Sequence, residues 1–495
     1  MNLARLLAAV AVIAALPVSA SAAVTCSVTA VELSDAFEGR QLLVADGGRD
    51  VTREAKYVSS NPAVALVDAK GFVTPTGDGT AVIRIERGAD RLEIPVTVRG
   101  FGQGRAVDFR TEIVPLLSRL GCNAGGCHGK ASGQNGFRLS LFGFDVDFDH
   151  AAITREARGR RVFPSNPDES LFLTKATGKA PHGGGKRLTP GSAEYQVIRR
   201  WIAAGSPASA PDAPKVVRIR MTPADGVFAP EARQQLTVVA DYSDGTSRDV
   251  TRQSEFQSNL DVVASVESDG LVTARRLSGE AAVMARYMGY VAVFRAMVPH
   301  GPALAGILDF APNNFIDELA AIKWQRLGLR PSPPCDDATF LRRVCVDLCG
   351  RLPTPDEARA FLADTAADKR VKLIDRLLDS PDYSANFAMR WGGILRNSNL
   401  AGADQAAVAF HRWLRDMIAR NRPYDEFARG IVAAAGEWQD APAINWLWQN
   451  RDDQLHQVTA DVAQVFLGVR LQCAESGHRA ALTTRPPVME AMPRS

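Results

Sequence analysis

Cys122-Asn123-Ala124-Gly125-Gly126-Cys127-His128 places two thiols and an imidazole within seven residues. Two thiols followed directly by an imidazole can bond a haem through its vinyl groups and ligate its iron. The usual attachment spacing is C-x-x-C-H, whereas this segment reads C-x-x-x-x-C-H. Cysteines five apart on a regular helix are rotated by roughly 140° at about 100° per residue and diverge. Gly125 and Gly126 accept positive φ, so the segment is expected to loop out and bring both sulfurs to one side of a flat ring. Three readings compete: covalent haem, a local Cys122–Cys127 disulfide that gives His128 no role, and a zinc site that needs a further ligand from a distant histidine.

Elements must hold these residues. Thr111 to Leu120 carries apolar residues at helical spacing (Ile113, Val114, Leu116, Leu117, Leu120) and leads straight into the Cys/His segment. Ser192 to Ala204, with Val197, Ile198, Trp201 and Ile202 on one face, follows Thr189-Pro190-Gly191 and ends at Gly205 before Pro207. A first helix bearing the Cys/His segment and a last helix packed across it are the minimal plan of a cytochrome c, spanning 105–208. That plan, with S-N-P-D-E-S-L at 165–171 and R-R-W-I-A-A-G-S-P at 199–207, resembles the planctomycete-type cytochrome c domain. The resemblance implies haem c on Cys122, Cys127 and His128, with iron also held by a residue shortly before the last helix, usually methionine. Here the matching stretch 179–188 has His182 instead, and no methionine occurs between 105 and 208. His182 is therefore the second metal-ligand candidate and His150 its competitor. Two imidazoles set a lower potential than a His/Met pair. Phe137, Leu139, Leu141, Phe142 and Phe144 offer apolar area to a porphyrin or to an ordinary core, and Arg138, Lys186 and Arg187 can pair with its propionates.

A repeat flanks this unit. Arg49-Asp50-Val51-Thr52-Arg53 recurs as Arg248-Asp249-Val250-Thr251-Arg252, and Gly71-Phe72-Val73-Thr74 as Gly270-Leu271-Val272-Thr273. Alternating strands such as Ala81 to Ile85 and Leu236 to Ala240, with turns at Asp244-Gly245 and Asp269-Gly270, predict two small antiparallel sandwiches over 24–99 and 215–299. They resemble the bacterial immunoglobulin-like group 2 domain through S-x-N-P-x-V-A-x-V at 59–67 and Gly79-Thr80-Ala81. The second copy lacks the proline and reads Gly279-Glu280-Ala281. The resemblance implies cell-surface spacers or adhesive modules, and the residues themselves hold no catalytic set.

From 310 to 473 the pattern is all-helical, with apolar residues at three-to-four spacing in Phe315–Leu327, Thr339–Leu348, Pro355–Leu362, Lys369–Leu378, His411–Arg420 and Gln457–Phe466. F-L-R-R-V-C-V-D-L-C-G-R-L-P-T-P-D-E-A at 340–358 and L-I-D-R-L-L-D-S-P-D-Y at 373–383 resemble an uncharacterised domain that accompanies the planctomycete cytochrome domain. Cys345 and Cys349 read as buried core thiols. Relatives continue after L-G-V-R-L-Q-C into C-x-x-C-H, whereas Cys473 is followed by A-E-S-G-H, so the tail 474–495 reads as irregular and the chain as a truncated member.

The predicted fold class is thus multidomain: two all-β immunoglobulin-like sandwiches, one α-helical cytochrome c-like domain and one all-α domain. Met1 to Ala22 has one positive charge, an apolar run Leu6–Leu16 and small residues at 17–22, the pattern of a cleaved export signal. No later segment is long enough to span a bilayer. The expected location is the periplasm or cell surface, where both haem attachment and disulfide formation occur. A net charge of +3 without a Lys/Arg block argues against nucleic acid. With no nucleophile triad, phosphate loop or H-E-x-x-H, the chain reads as an electron carrier rather than an enzyme. Its expected partner is a redox protein or cell-envelope component. The alternative is a haem-free adhesion or polysaccharide-binding protein with a Cys122–Cys127 disulfide.

Overall fold

The computed structural model describes residues 24–101, 106–130, 132–302, 304, 311–397, 404–450 and 455–471. The predicted export signal at 1–22, Cys473, His478 and the 474–495 tail lie outside the described residues. The chain divides into two compact units, Met1–Arg330 and Pro331–Ser495.

In the first unit the sandwiches form at 24–99 and 215–299 with one strand order in both copies. In the first copy a four-stranded sheet runs Val31–Leu33, Asp90–Val98, Gly79–Arg87, Lys56–Ser59, against a three-stranded sheet Arg40–Gln41, Phe72–Pro75, Ala65–Val67. The second copy repeats this with Asp225–Val227, Tyr290–Val298, Gly279–Tyr287, Glu255–Ser258 and with Arg233–Gln235, Leu271–Ala274, Ala264–Val266. Alternation along the long strands buries Ala81, Ile83 and Ile85 in one copy and Ala281, Val283 and Ala285 in the other.

The two copies clasp each other through the repeated motif. The Asp50 carboxylate accepts the Gln235 backbone N–H, and Arg53 donates to Gln235 Oε1 at 2.6 Å and pairs with Asp269 at 3.0 Å. In the opposite sense, Asp249 accepts from the Gln41 N–H at 2.9 Å, and Arg252 pairs with Asp68 and lies 3.8 Å from the Phe72 ring centre. Gln41 and Gln235 occupy the same register position, opposite Phe72 and Leu271. The interface is therefore a local two-fold, and the two copies are packed together.

Between them in sequence lies a helical domain. A π-turn at Phe109–Ile113, capped by Asp108, runs into α1 (Val114–Arg119), followed by α2 (Val146–Thr154), α3 (Leu171–Ala176) and α4 (Ala193–Ala203). Phe109, Ile113, Leu117, Ile153 and Trp201 fill its core. The two quoted motifs are bonded to each other, because Asp168 of the first accepts from Arg199 of the second at 2.9 Å and from the Tyr195 hydroxyl at 2.5 Å. The domain docks on both sandwiches. Tyr287 Oη donates to Thr111 O at 3.2 Å, Arg200 stacks on Phe37, and Arg286 lies 4.1 Å from the Phe142 ring centre. Helix α5 (Phe315–Leu327) is tied to the second sandwich by Lys323–Glu280 at 2.7 Å and by Arg326–Asp225.

The second unit is helical among its described residues: α6 (Asp337–Cys349), α7 (Pro355–Ala363), α8 (Lys369–Leu378), α9 (Pro381–Ile394), α10 (Asp404–Ala419), α11 (Tyr424–Val432), α12 (Ile444–Gln449) and α13 (Leu455–Leu467). Thr354 and Glu357 form a reciprocal capping box that starts α7. Cys345 and Cys349 are buried with Leu341, Phe361, Leu373 and Leu377, as core thiols should be. A second core gathers Phe410, Leu414, Ile431 and Trp446. Among the described residues no helix is long and apolar enough to cross a membrane.

Candidate functional site

The Cys/His segment begins where α1 ends. Gly121 takes φ +71° and breaks the helix, and the Cys122 N–H closes back on Leu117 O at 2.8 Å. The four inserted residues fold into a turn, with Cys127 N–H donating to Ala124 O at 2.9 Å and His128 N–H to Cys122 O at 3.0 Å. The bend does not use left-handed glycines at 125 or 126, contrary to the expectation from sequence. It uses Gly121 and a close approach at Gly129, where a Cβ would stand 2.0 Å from Asn123 O. Cys122, Cys127 and His128 thereby line one cavity of about 240 Å³. Both thiols are free. Burial pushes the Cys122 thiol up to about 11, so it is protonated.

His182 lines the same cavity from the glycine-rich segment before α4. Its ring is parallel to that of His128, with 11° between planes and 6.2 Å between centroids. His128 Nδ1 lies 3.0 Å from Phe137 O, and His182 Nδ1 lies 2.8 Å from Gly185 O. A carbonyl only accepts, so each Nδ1 carries a proton, which leaves Nε2 as the nitrogen through which either ring would ligate a metal. Burial holds the His128 imidazole below the usual histidine range, only partly offset by the bond to Phe137 O. Among the described residues no three of His, Cys, Asp or Glu converge as a metal-holding group.

His150 is removed from the site. It is buried on α2, its Nε2 lies 2.9 Å from Ser206 O, and its ring sits edge-on to Phe109 at 5.1 Å. It is a core histidine.

The cavity walls are Leu117, Leu120, Phe137, Leu171, Phe172 and Ile198, with Arg160, Arg161, Lys175 and Arg187 as charged lining and no carboxylate. Of the aromatic and apolar residues expected here, only Phe137 takes part. Leu139 is in the domain core, Phe142 lies under Arg286, Phe144 is exposed, and Leu141 is outside the lining. Of the expected cations only Arg187 lines the cavity, its Nη2 at 3.9 Å from Cys127 Sγ, whereas Arg138 stacks on Phe148 and Lys186 is exposed. Arg161 is 5% exposed, donates to the carbonyls of Ala152, Glu156 and Gly136, and lies 4.4 Å from the Phe137 ring centre. Arg160, Arg161 and Lys175 were not singled out from sequence. The one available signal was the cluster R-E-A-R-G-R-R at 155–161.

Solved structures with some likeness include surface layer protein SbsC, domains 1–6 (13% identity over 53% of this chain and 24% of that one, TM-score 0.15) and S-layer protein rSbsC(31–844) (13%, 57% and 28%, 0.16). Another is the protocadherin GammaB4 extracellular domain (10%, 56% and 34%, 0.12). The chain spans about a quarter of the length of the two S-layer structures, and scores this low carry nothing further. No curated protein matches the chain. Residues 43–89 match the intimin immunoglobulin-like domain, and residues 315–479 match PSCyt2, a protein family of unknown function (DUF1549). The chain thus carries an immunoglobulin-like segment in its first sandwich and a DUF1549 segment in its helical part.

Proposed function

We propose that residues 105–208 form a cytochrome c-like domain holding haem c, bonded through the Cys122 and Cys127 sulfurs and ligated at iron by His128 and His182, in an exported electron-transfer protein. The observation that carries this reading is the parallel imidazole pair with both Nδ1 atoms tied to carbonyls. With 6.2 Å between ring centroids and both rings on one cavity, His128 and His182 are the residues that would hold a haem iron between them. A structural zinc site needs more protein ligands than converge among the described residues.

The lining fits an anionic, largely apolar ring. Arg161 is a buried cation whose hydrogen bonds all go to backbone carbonyls, and such a charge favours an anionic neighbour. Arg160, Lys175 and Arg187 add to this preference, and carboxylates on the ring's edge supply the counter-charge. Haem supplies a one-electron iron couple, set lower by two imidazoles than by an imidazole and a thioether. Phe137, Phe172, Leu171 and Ile198 exclude water from the ring, and the carbonyls of Phe137 and Gly185 fix the ligand orientations. The clasped sandwiches serve as the scaffold on which this domain is mounted. Likeness to the intimin immunoglobulin-like domain and the apolar leader support placement in the periplasm or at the cell surface. A redox protein or envelope component is the partner.

The test is expression with a covalent haem-maturation system, followed by absorption spectroscopy under denaturing conditions and intact mass. One haem per chain, lost in the Cys122→Ser/Cys127→Ser double variant, is expected. A mature chain of unmodified mass overturns the proposal and leaves a haem-free surface scaffold.

A further inference from the structure

We propose that the rim of this cavity is a docking face for an acidic protein surface, an inference that rests on the reading of 105–208 as a redox domain. The turn at 155–161 holds Ala157 and Arg158 in the left-handed region, at φ 53° and 61°, followed by Gly159 at 67°. Non-glycine residues adopt that conformation only where surroundings impose it. Within this seven-residue turn Arg155, Arg158 and Arg160 are each exposed, and Arg160 also reaches the cavity lining. Lys186 and Arg187 are exposed on the segment carrying His182. None of these five cations pairs with a carboxylate among the described residues, and Glu156 is the single acid in 155–163.

Electron exchange requires close approach at this mouth. Arg155, Arg158 and Lys186 lie outside the lining and stay unpaired when the ring's carboxylates engage Arg160 and Arg187, and such cations raise the encounter rate and orient an oppositely charged partner. A protein fits better than a small anion because Phe163, three residues after Arg160, is 50% exposed, and aromatic side chains beside arginine are the composition of protein interfaces. Nucleic acid is disfavoured by the net charge of only +3 over 495 residues.

The test uses the full chain and a fluorescent deca-glutamate peptide read by anisotropy, with deca-lysine, an oligothymidine and free citrate as comparisons. Deca-glutamate is expected to bind, to weaken about tenfold or more between low and high salt, and to weaken about tenfold in the Arg155→Glu/Arg158→Glu double variant. Those arginines lie outside the cavity lining, so haem content by denatured absorption should be unchanged. Arg155→Gln/Arg158→Gln should fall between wild type and the double reversal. Equal binding in wild type and the reversal, tighter binding of oligothymidine, or full displacement by stoichiometric citrate overturns the inference. Absence of haem in the wild-type chain overturns the functional proposal instead, and peptide binding is still read independently of it.

Discussion

Asp249 reaches from the second sandwich to accept the backbone N–H of Gln41 in the first, at 2.9 Å, while its other oxygen accepts the Thr251 N–H at 2.9 Å. Both ends of the interaction are buried. Removing the acceptor leaves a buried N–H unsatisfied, which costs on the order of 1–3 kcal/mol. Asp249→Ala is therefore expected to lower the stability of the first unit by that amount in denaturant titrations, and Asp50→Ala, its counterpart, by a similar amount.

Asp269 gives this interface a pH dependence of known sign. Burial raises its carboxyl, but ion pairs with Lys70 at 2.6 Å and Arg53 at 3.0 Å override that and hold it at about 2, below its ordinary 3.8. A depressed acid contributes stability that is full above its unfolded value and is lost as pH falls through the folded one. About 2 kcal/mol should disappear between roughly pH 4 and pH 2, at about 1.4 kcal/mol per pH unit. Lys70→Met/Arg53→Met should flatten this segment of the stability curve.

Asp149 acts with the opposite sign. It is fully buried, and desolvation pushes its carboxyl up to about 7 although Ser140 donates to it through N–H at 2.5 Å and Oγ at 2.8 Å. The folded state then holds the proton more tightly than the unfolded chain, so this group's contribution falls as pH rises from about 4 to about 7. Asp149→Asn, neutral throughout, is expected to remove that fall, on the order of 4 kcal/mol, when unfolding is followed across this range.

Much of the site was legible before the structure, and the reasons for the rest are physical. That the Cys/His segment and His182 meet at one cavity is legible from residue type and from position before a strongly amphipathic last helix. Helices α2 and α3 were missed because they are short and held mainly by tertiary packing of Ile153 and Leu173, which leaves little periodicity to read. Arg160 and Arg161 carry no sequence signal beyond a local charge cluster, and only the fold turns these two members of it into a cavity. The repeated R-D-V-T-R motif announced two related domains but not their contact, since Asp50 and Asp249 satisfy backbone groups about 185 and 208 residues away. The helical region follows its apolar spacing closely, the Pro355–Leu362 pattern forming α7 at Pro355–Ala363 and Lys369–Leu378 forming α8.

Gly129 offers a sharp test of the attachment turn. A methyl group there would collide with Asn123 O at 2.0 Å, so Gly129→Ala must open the turn that brings Cys122 to Cys127. Covalent haem yield is expected to fall several-fold and the domain to lose on the order of 2 kcal/mol or more, read by adduct mass and thermal melting.

Exchange of His182 tests the proposed iron ligation separately from covalent attachment. His182→Met should retain the covalent adduct and raise the midpoint potential by on the order of 100 mV, within the roughly 0.8 V over which axial ligands tune haem. His128→Ala should abolish a stable adduct. A potential in the His182→Met variant equal to wild type would remove His182 from the iron.

The clasp between the sandwiches closes the intervening polypeptide, 100 to 214, into a loop whose two ends are fastened side by side. Tension applied along the chain is then borne in parallel by the Asp50–Gln235 and Asp249–Gln41 contacts and bypasses the domain within the loop. The imidazole pair stays at rest until that fastening ruptures, which shields its alignment from mechanical load on either side.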